Sequence, residues 1–134
     1  RLFNVYGSVS AIEGKVDCPS VVEILLKQKR NDQALTIIGD GKQKRDLVNV
    51  KDVAKAFVAA STSKLVGKGE VINIGSGSNY SVSEIANWIG GETTKLDNRY
   101  AEAYETLADI SKAKELLNWQ PEHNLKDWIE SNKK

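Results

Sequence analysis

Arg1-Leu-Phe-Asn-Val-Tyr-Gly7 opens the chain as a short apolar run that ends at a glycine. This pattern is typical of a buried strand that enters a turn. A buried strand needs neighbours on both sides, and no preceding sequence is present to supply one of them. The 134-residue sequence also contains no methionine, and therefore no initiator residue. We therefore expect this chain to be one piece of a longer protein.

Downstream of this run, strand patterns alternate with helix patterns along the whole chain. Apolar runs predict further strands at 35–38, 46–50 and 71–74. Helical spacing and capping signals predict five helices, which begin near Pro19, Asp52, the Ser81/Glu84 capping box, Asp109 and Asn124. Strands that alternate with helices predict an α/β fold, and no linker divides residues 1–134.

The composition excludes several classes of partner. A net charge of +1 gives no general attraction to nucleic acid or to anionic lipid. No apolar run is long enough to span a membrane, and we expect a cytoplasmic protein. One cysteine and one histidine, far apart, supply neither an internal disulfide nor a zinc site. We expect Cys18 to act as a small apolar residue at a helix start.

The segment Gly75-Ser-Gly77-Ser-Asn-Tyr80 follows a strand and precedes a helix, as a dinucleotide-binding turn does. Asp97 even lies about 20 residues further on, where that fingerprint has an acidic residue. However, Tyr80 occupies the third glycine position, where close packing of helix on strand leaves no room for a side chain. We therefore interpret the segment as a strand-to-helix turn and not as a phosphate site.

A basic turn at 39–46 joins two predicted strands and allows two interpretations. It is either a solvated hairpin or an anion-binding site, because Arg45 at the start of a strand could present its planar fork to a phosphate. Arg99, followed three residues later by Glu102, is a second such candidate. Considered alone, each arginine could equally be an ordinary surface charge.

Five motifs occur in order along the chain. They are Arg-Leu-Phe-Asn-Val-Tyr-Gly (1–7), Leu-Thr-Ile-Ile-Gly-Asp-Gly (35–41), Arg-Asp-Leu-Val-Asn-Val-Lys-Asp-Val-Ala (45–54), Val-Ile-Asn-Ile-Gly-Ser-Gly (71–77) and Ala-Asp-Ile-Ser-Lys-Ala-Lys-Glu-Leu-Leu (108–117). Together they resemble the C-terminal half of the extended short-chain dehydrogenase/reductases, and among them the NAD-dependent nucleotide-sugar epimerases and dehydratases, especially UDP-glucose 4-epimerase-like proteins.

The resemblance implies a division of labour between two halves of such a protein. An N-terminal Rossmann half holds NAD on a glycine-rich turn and carries a catalytic Tyr-x-x-x-Lys. No tyrosine of this chain is followed four residues later by lysine. We therefore expect the C-terminal, substrate-binding portion, inactive by itself. Residues 1–6 and 71–75 should be parallel strands of the missing half's sheet, and their open edges should lead to self-association or poor stability.

The resemblance also assigns roles to residues. Asn4 should contact the substrate near its phosphates, Val21 should flank the nucleotide, and the backbone of Thr36, Ile37 and Ile38 should contact the base. Arg45 and Arg99 should hold the diphosphate together, with Glu102 near the ribose. Leu2 and Phe3 should pass beside the nicotinamide of NAD. The substrate implied is a nucleotide-diphosphate sugar, in particular a UDP-sugar.

The activity implied is 4-epimerisation by transient oxidation of the sugar. In the complete enzyme a tyrosine would take the proton of the sugar hydroxyl while NAD accepts hydride, and the hydride would then return to the opposite face. A dehydratase or decarboxylase of the same family remains an alternative, because the residues that would separate these activities are not in this chain. A non-catalytic nucleotide-sugar binder, or a subunit that completes a partner's sheet, is a further alternative.

Overall fold

The structure, a computed structural model, describes residues 1–8, 12–13, 19–98 and 103–134. Within these residues, the strands are β1 (Asn4–Tyr6), β2 (Leu35–Ile38), β3 (Lys44–Asn49), β4 (Asn79–Ser81) and β5 (Thr93–Leu96). The helices are α1 (Val21–Arg30), α2 (Val50–Thr62), α3 (Val82–Ile89), α4 (Ser111–Leu117) and α5 (Leu125–Asn132). The α/β class predicted from the sequence is confirmed.

The larger sheet has the strand order β1-β3-β4. Strand β1 runs parallel to β3, with Asn4 opposite Leu47, and β4 runs antiparallel to β3. Side chains of these strands alternate between two apolar layers, so that Leu47 joins the core formed with α1, α3 and α5, whereas Val48 joins the core formed with α2 and α4. Helices therefore cover both faces of the β1–β3 pair, as is usual for parallel strands.

The predicted neighbours 1–6 and 71–75 do lie side by side and run parallel, but they meet at a single bridge between Leu2 and Ile74. The Phe3 N–H donates to the Ile74 carbonyl at 3.0 Å, and the Ile74 N–H donates to the Arg1 carbonyl at 2.9 Å. The prediction of a fully buried strand at 71–75 is wrong, because Val71 is 61% exposed and the chain turns at Gly75.

Strand β2 pairs in parallel with β5, from Leu35 opposite Thr93 to Ile38 opposite Leu96. The hairpin interpretation of the turn at 39–46 is therefore wrong, since β2 and β3 belong to different sheets. The Gly39 N–H donates to the Leu96 carbonyl at 2.8 Å, which keeps the end of β2 against β5 instead of letting it fold back on β3.

Side-chain caps fix the starts of several helices. The Ser81/Glu84 capping box and the Asn124 cap are confirmed. Helix α2 begins earlier than predicted, at Val50, because the Asn49 side chain accepts a hydrogen bond from the Lys51 N–H at 2.9 Å. Helix α4 is capped at Ile110, and the side chain of the predicted cap Asp109 accepts from the Ser111 N–H.

Asp52, predicted to open α2, instead lies inside it with a fully buried side chain. Its carboxylate accepts hydrogen bonds from the backbone N–H groups of Glu122 and His123 at 3.1 and 3.0 Å. It also lies 2.8 Å from Nδ1 of His123. Asp52 therefore attaches the segment that precedes α5 to the second helix.

Two edge-to-face aromatic pairs border the core around α5 and α3. The ring centroids of Tyr6 and Trp128 are 5.2 Å apart, and those of Tyr80 and Trp88 are 5.0 Å apart. Burial raises the pKa of Tyr6 to about 12. Among the described residues, no helix is both long and apolar enough to cross a membrane.

Candidate functional site

A cavity of about 270 Å³ opens between β1, the start of α1, and the strands β2 and β3. Five of the eight residues predicted to bind substrate line it: Asn4, Val21, Thr36, Ile38 and Arg45. These residues come from four elements that are distant in sequence. The fold therefore brings together a cationic side chain, an amide and a strand edge around one small opening.

The β1–β3 pairing places Asn4 and Arg45 on the same side of this cavity. The Asn4 side-chain amide donates to the Asp46 carbonyl at 3.2 Å, which holds Asn4 beside the start of β3. Arg45 is half-buried, and its Nη1 donates to the Lys44 carbonyl at 2.9 Å. Two side chains that donate hydrogen bonds thus border an opening where a phosphate oxygen could accept them.

The buried carboxylate of Glu23 fixes the start of α1, where Val21 lies. It accepts hydrogen bonds from the N–H groups of Gly7 and Ser8 at 3.0 and 3.1 Å, and from the Ser20 N–H at 2.7 Å. One side chain therefore joins the end of β1 to the beginning of α1. Glu23 was not singled out from the sequence, although its place three residues after Ser20 matches a capping box.

The edge of β2 that faces away from β5 is held by two glutamine side chains. The Gln28 side chain accepts from the Thr36 N–H at 3.1 Å and donates to the Thr36 hydroxyl at 2.9 Å. The Gln43 side chain donates to the Ile38 carbonyl at 3.1 Å. Thr36, Ile38 and Gln43 all line the cavity, so this strand edge forms one of its walls.

The other predicted contacts lie elsewhere. The Ile37 side chain is 5% exposed and belongs to the core, and Ile37 is paired with Lys95 of β5, so this residue does not line the cavity. Leu2 lines a separate cavity of about 370 Å³, with Phe57 and Ile72, and Phe3 bonds to Ile74 beside it. Arg99 and Glu102, like Cys18, lie outside the described residues.

Asp46, between the cavity-lining residues Arg45 and Leu47, is a fully buried carboxylate that sequence reasoning missed. Its Oδ1 accepts from the N–H and hydroxyl of Ser76 at 2.6 and 2.9 Å. Its Oδ2 accepts from the N–H groups of Gly77 and Ala108, each at 3.0 Å. The amides of the glycine-containing turn at 75–77 are thus bonded to a carboxylate of the chain itself.

Two other features of the described residues do not form a site for the predicted substrate. A larger cavity, of about 500 Å³, lies between α2 and α4, but its lining includes none of the predicted residues, and Lys55 there is paired with Glu122. Across residues 1–8, 12–13, 19–98 and 103–134, no three His, Cys, Asp or Glu side chains are grouped so that they could hold a metal ion.

Residues 1–75, more than half of the chain, match the model of the NAD dependent epimerase/dehydratase family. The chain belongs to this family. The membership expected from the five motifs is thereby confirmed, together with its extended short-chain dehydrogenase/reductase type of fold.

Three relatives illustrate the similarity. The chain is 40% identical to a putative UDP-glucose 4-epimerase of Methanocaldococcus jannaschii, over 96% of this chain and 42% of that protein. It is 29% identical to UDP-glucuronic acid decarboxylase 1 of Arabidopsis thaliana, over 96% of this chain and 29% of that protein. The crystal structure of the UDP-glucuronic acid 4-epimerase of Bacillus cereus with UDP-glucuronic acid and NAD superposes with a TM-score of 0.80 at 35% identity, over 99% of this chain and 42% of that one. The chain thus spans less than half of each relative.

Proposed function

We propose that this chain forms the nucleotide-sugar-binding part of an NAD-dependent sugar epimerase of the UDP-glucose 4-epimerase type. The observation that carries the proposal is the single cavity lined by Asn4, Val21, Thr36, Ile38 and Arg45. These residues were assigned to one substrate by resemblance alone, and an accidental assignment would leave them scattered over the surface instead of around one cavity. The relatives named for UDP-sugar epimerisation support the same substrate class.

Within this cavity, each element would bind a different part of the nucleotide. The guanidinium of Arg45 would bind the diphosphate with two parallel hydrogen bonds, since its planar fork matches the spacing of phosphate oxygens. The Asn4 amide would donate to a neighbouring oxygen of the same group. The open edge of β2 would face the base, with Val21 against the ring.

Arg99 and Glu102 complete the proposed site, and the residues on either side of them support this placement. The Leu96 carbonyl accepts from the Gly39 N–H, and the Tyr104 carbonyl accepts from the Lys44 N–H, both at 2.8 Å. Leu96 and Tyr104, which lie on either side of Arg99 and Glu102 in the sequence, are therefore both bonded to the two ends of the turn that precedes Arg45.

NAD, when bound, would supply the hydride acceptor for oxidation of the sugar at C4. In this chain only Leu2 and Phe3 are proposed to border it, and the half-exposed Leu2 side chain suits an apolar contact with a flat ring. The turn at 75–77 does not fit the cofactor's pyrophosphate, because its amides donate to Asp46. We therefore propose that NAD is held by residues outside this chain, in a cytoplasmic enzyme.

A sugar-nucleotide decarboxylase or dehydratase is the second candidate, favoured by the similarity to the Arabidopsis decarboxylase. Both candidates require the same nucleotide site, so the decisive experiment for this chain is a binding experiment. A non-catalytic nucleotide-sugar binder would also bind UDP in that experiment.

The test is a calorimetric titration of UDP into the chain and into Arg45→Ala and Arg45→Lys variants. A charge-assisted contact is worth about 1.5–3 kcal/mol, so Arg45→Ala should weaken binding roughly ten- to a hundredfold. The lysine variant should recover only part of this, because an ammonium group cannot form the planar fork. Arg30→Ala is the matched control, since Arg30 is exposed, lies outside the cavity lining and donates to the Asn132 carbonyl. Equal UDP affinity in all four proteins would refute the phosphate contact.

A further inference from the structure

The backbone groups of β2 divide between two edges. The N–H group of Leu35 donates to the Glu92 carbonyl, directly before β5, and that of Gly39 donates to the Leu96 carbonyl at the end of β5, each at 2.8 Å. Because successive residues of a strand point their backbone groups to opposite edges, those of Thr36 and Ile38 face away from β5. Both residues line the cavity. Two N–H groups and two carbonyls of β2 are therefore directed to the cavity side.

The two glutamine amides bond to the outer pair of these four groups. The Thr36 N–H has only a proton to offer, so the Gln28 atom at 3.1 Å from it must be the side-chain oxygen. The Ile38 carbonyl can only accept, so Gln43 must present its NH₂ group at 3.1 Å. The orientation of both amides thus follows from the strand and is not arbitrary.

We infer that Gln28 and Gln43 are positioning residues that set which nucleobase this site accepts. With the outer pair occupied, the inner pair has no partner among the described residues, namely the Thr36 carbonyl as acceptor and the Ile38 N–H as donor. The inference rests on the proposed function, since it concerns the base of the nucleotide whose diphosphate binds at Arg45. It goes beyond that function in assigning the choice of base to two residues outside the phosphate site.

A carbonyl acceptor followed along the strand by an N–H donor pairs with the imide group of a base, in which a ring N–H lies beside a carbonyl. In uracil or thymine the ring N–H would donate to the Thr36 carbonyl while the adjacent carbonyl oxygen accepts from the Ile38 N–H. Cytosine has no ring N–H at this position, so it would need its exocyclic amino group on Thr36 and its bare ring nitrogen on Ile38. That pairing displaces the ring along the strand while Arg45 holds the diphosphate, and the mismatch costs affinity.

The walls of the cavity suit a single pyrimidine ring. Val21, Ile24 and Leu47 supply apolar surface beside the strand edge. The volume of about 270 Å³ lies below the roughly 300–1,000 Å³ of common ligand sites. Removing Gln28 would free the Thr36 N–H, and removing Gln43 would leave the Ile38 carbonyl with only the longer bond from the Gly41 N–H at 3.3 Å, so that other bases could find partners there.

The experiment measures UDP, CDP and inorganic pyrophosphate affinities by calorimetry for the chain and for the Gln28→Met and Gln43→Met variants. Methionine keeps the length of the side chain, and at position 28 the helix propensity, but removes the amide. The exposed Gln33→Met variant is the matched control. We expect the chain to prefer UDP to CDP, and each variant to lose about two- to tenfold in UDP affinity, the worth of one hydrogen bond. In each variant the ratio of UDP affinity to CDP affinity should fall, and pyrophosphate affinity should stay constant.

A further variant separates positioning from loss of structure. Gln28→Glu keeps an oxygen for the Thr36 N–H, so it should retain the preference for UDP over CDP even if its negative charge weakens both nucleotides equally. Circular dichroism verifies that each variant folds, and Gln43→Asn replaces Gln43→Met if the latter does not.

Three outcomes overturn the inference. An unchanged UDP-to-CDP ratio in both variants would refute it and leave the proposed function intact, because UDP would still bind. An equal loss of pyrophosphate affinity would show that the glutamines act only through the fold. A chain that binds neither UDP nor pyrophosphate would overturn the proposed function, and this inference with it.

Discussion

Replacing Asp46 with asparagine tests how strongly one carboxylate joins three segments of the chain. The side chain is fully buried and accepts four hydrogen bonds, two from Ser76, one from Gly77 and one from Ala108. An amide has a single oxygen, so its NH₂ group must face one of these pairs of donors. We expect it to turn towards Ser76, whose hydroxyl can rotate and become an acceptor.

The cost follows from this arrangement. The Ser76 N–H loses its acceptor completely, and a hydrogen bond to a charged group is worth about 1.5–3 kcal/mol. The Gly77 and Ala108 bonds weaken because their acceptor becomes neutral. Relief from burying a charge offsets part of this loss. We expect the free energy of unfolding to fall by about 2–5 kcal/mol, against a total of about 5–15 kcal/mol for an ordinary domain.

The assay is urea unfolding of both proteins, followed by tryptophan fluorescence. Asp97→Asn is the matched control, because Asp97 is exposed, and its unfolding free energy should stay within about 0.5 kcal/mol of the unsubstituted chain. A loss below about 1 kcal/mol in Asp46→Asn would refute the reasoning. It would mean that the cost of burying the charge cancels the four hydrogen bonds.

Three further predictions concern ionisation, catalysis and assembly. Because the pKa of Tyr6 is raised to about 12 from its ordinary 10.0, its phenol should keep its proton in the folded chain where the unfolded chain loses it. Stability should therefore fall as pH rises from about 10 to about 12, a loss that urea unfolding at several pH values should show and that Tyr6→Phe should lack. The chain by itself should neither reduce NAD nor epimerise UDP-sugars; product formation seen by chromatography would contradict this. We also expect self-association in sedimentation, since Leu2, Phe57 and Val71 expose apolar surface near the Leu2–Ile74 bridge, and a strictly monomeric chain would argue against it.

Local signals in the sequence predicted the helices well. The Ser81/Glu84 pair and Asn124 act within one helical turn, so their capping roles can be read from neighbouring residues. The cap of α2 was misplaced by three positions, because Asn49 and Asp52 are both good caps in isolation. The hydrogen-bond partner of each side chain decides which of the two residues caps the helix. The Asp52 carboxylate accepts from the Glu122 N–H, 70 positions further on, which no local pattern reveals.

Long-range features of the fold were beyond local patterns. Strand β5 is Thr-Thr-Lys-Leu with every residue exposed, so it has neither the apolar run nor the alternation that predicts a strand. Asp46 looked like an ordinary polar residue next to Arg45, since its partners are 30 and 62 positions away. The proposed grouping of Asn4 with Arg45 came from the five family motifs, and not from any physical rule that links the two residues.

The pairing of β2 with β5 has a consequence for how the chain is made. Leu35 leaves the ribosome 58 positions ahead of its partner Thr93. At a synthesis rate of about 5–20 residues per second, the apolar strand Leu-Thr-Ile-Ile waits roughly 3–12 s before its partner emerges. During that interval the nascent chain carries an uncovered strand edge that could pair with another nascent chain. Translation speed between residues 39 and 96 should therefore influence the yield of correctly folded protein.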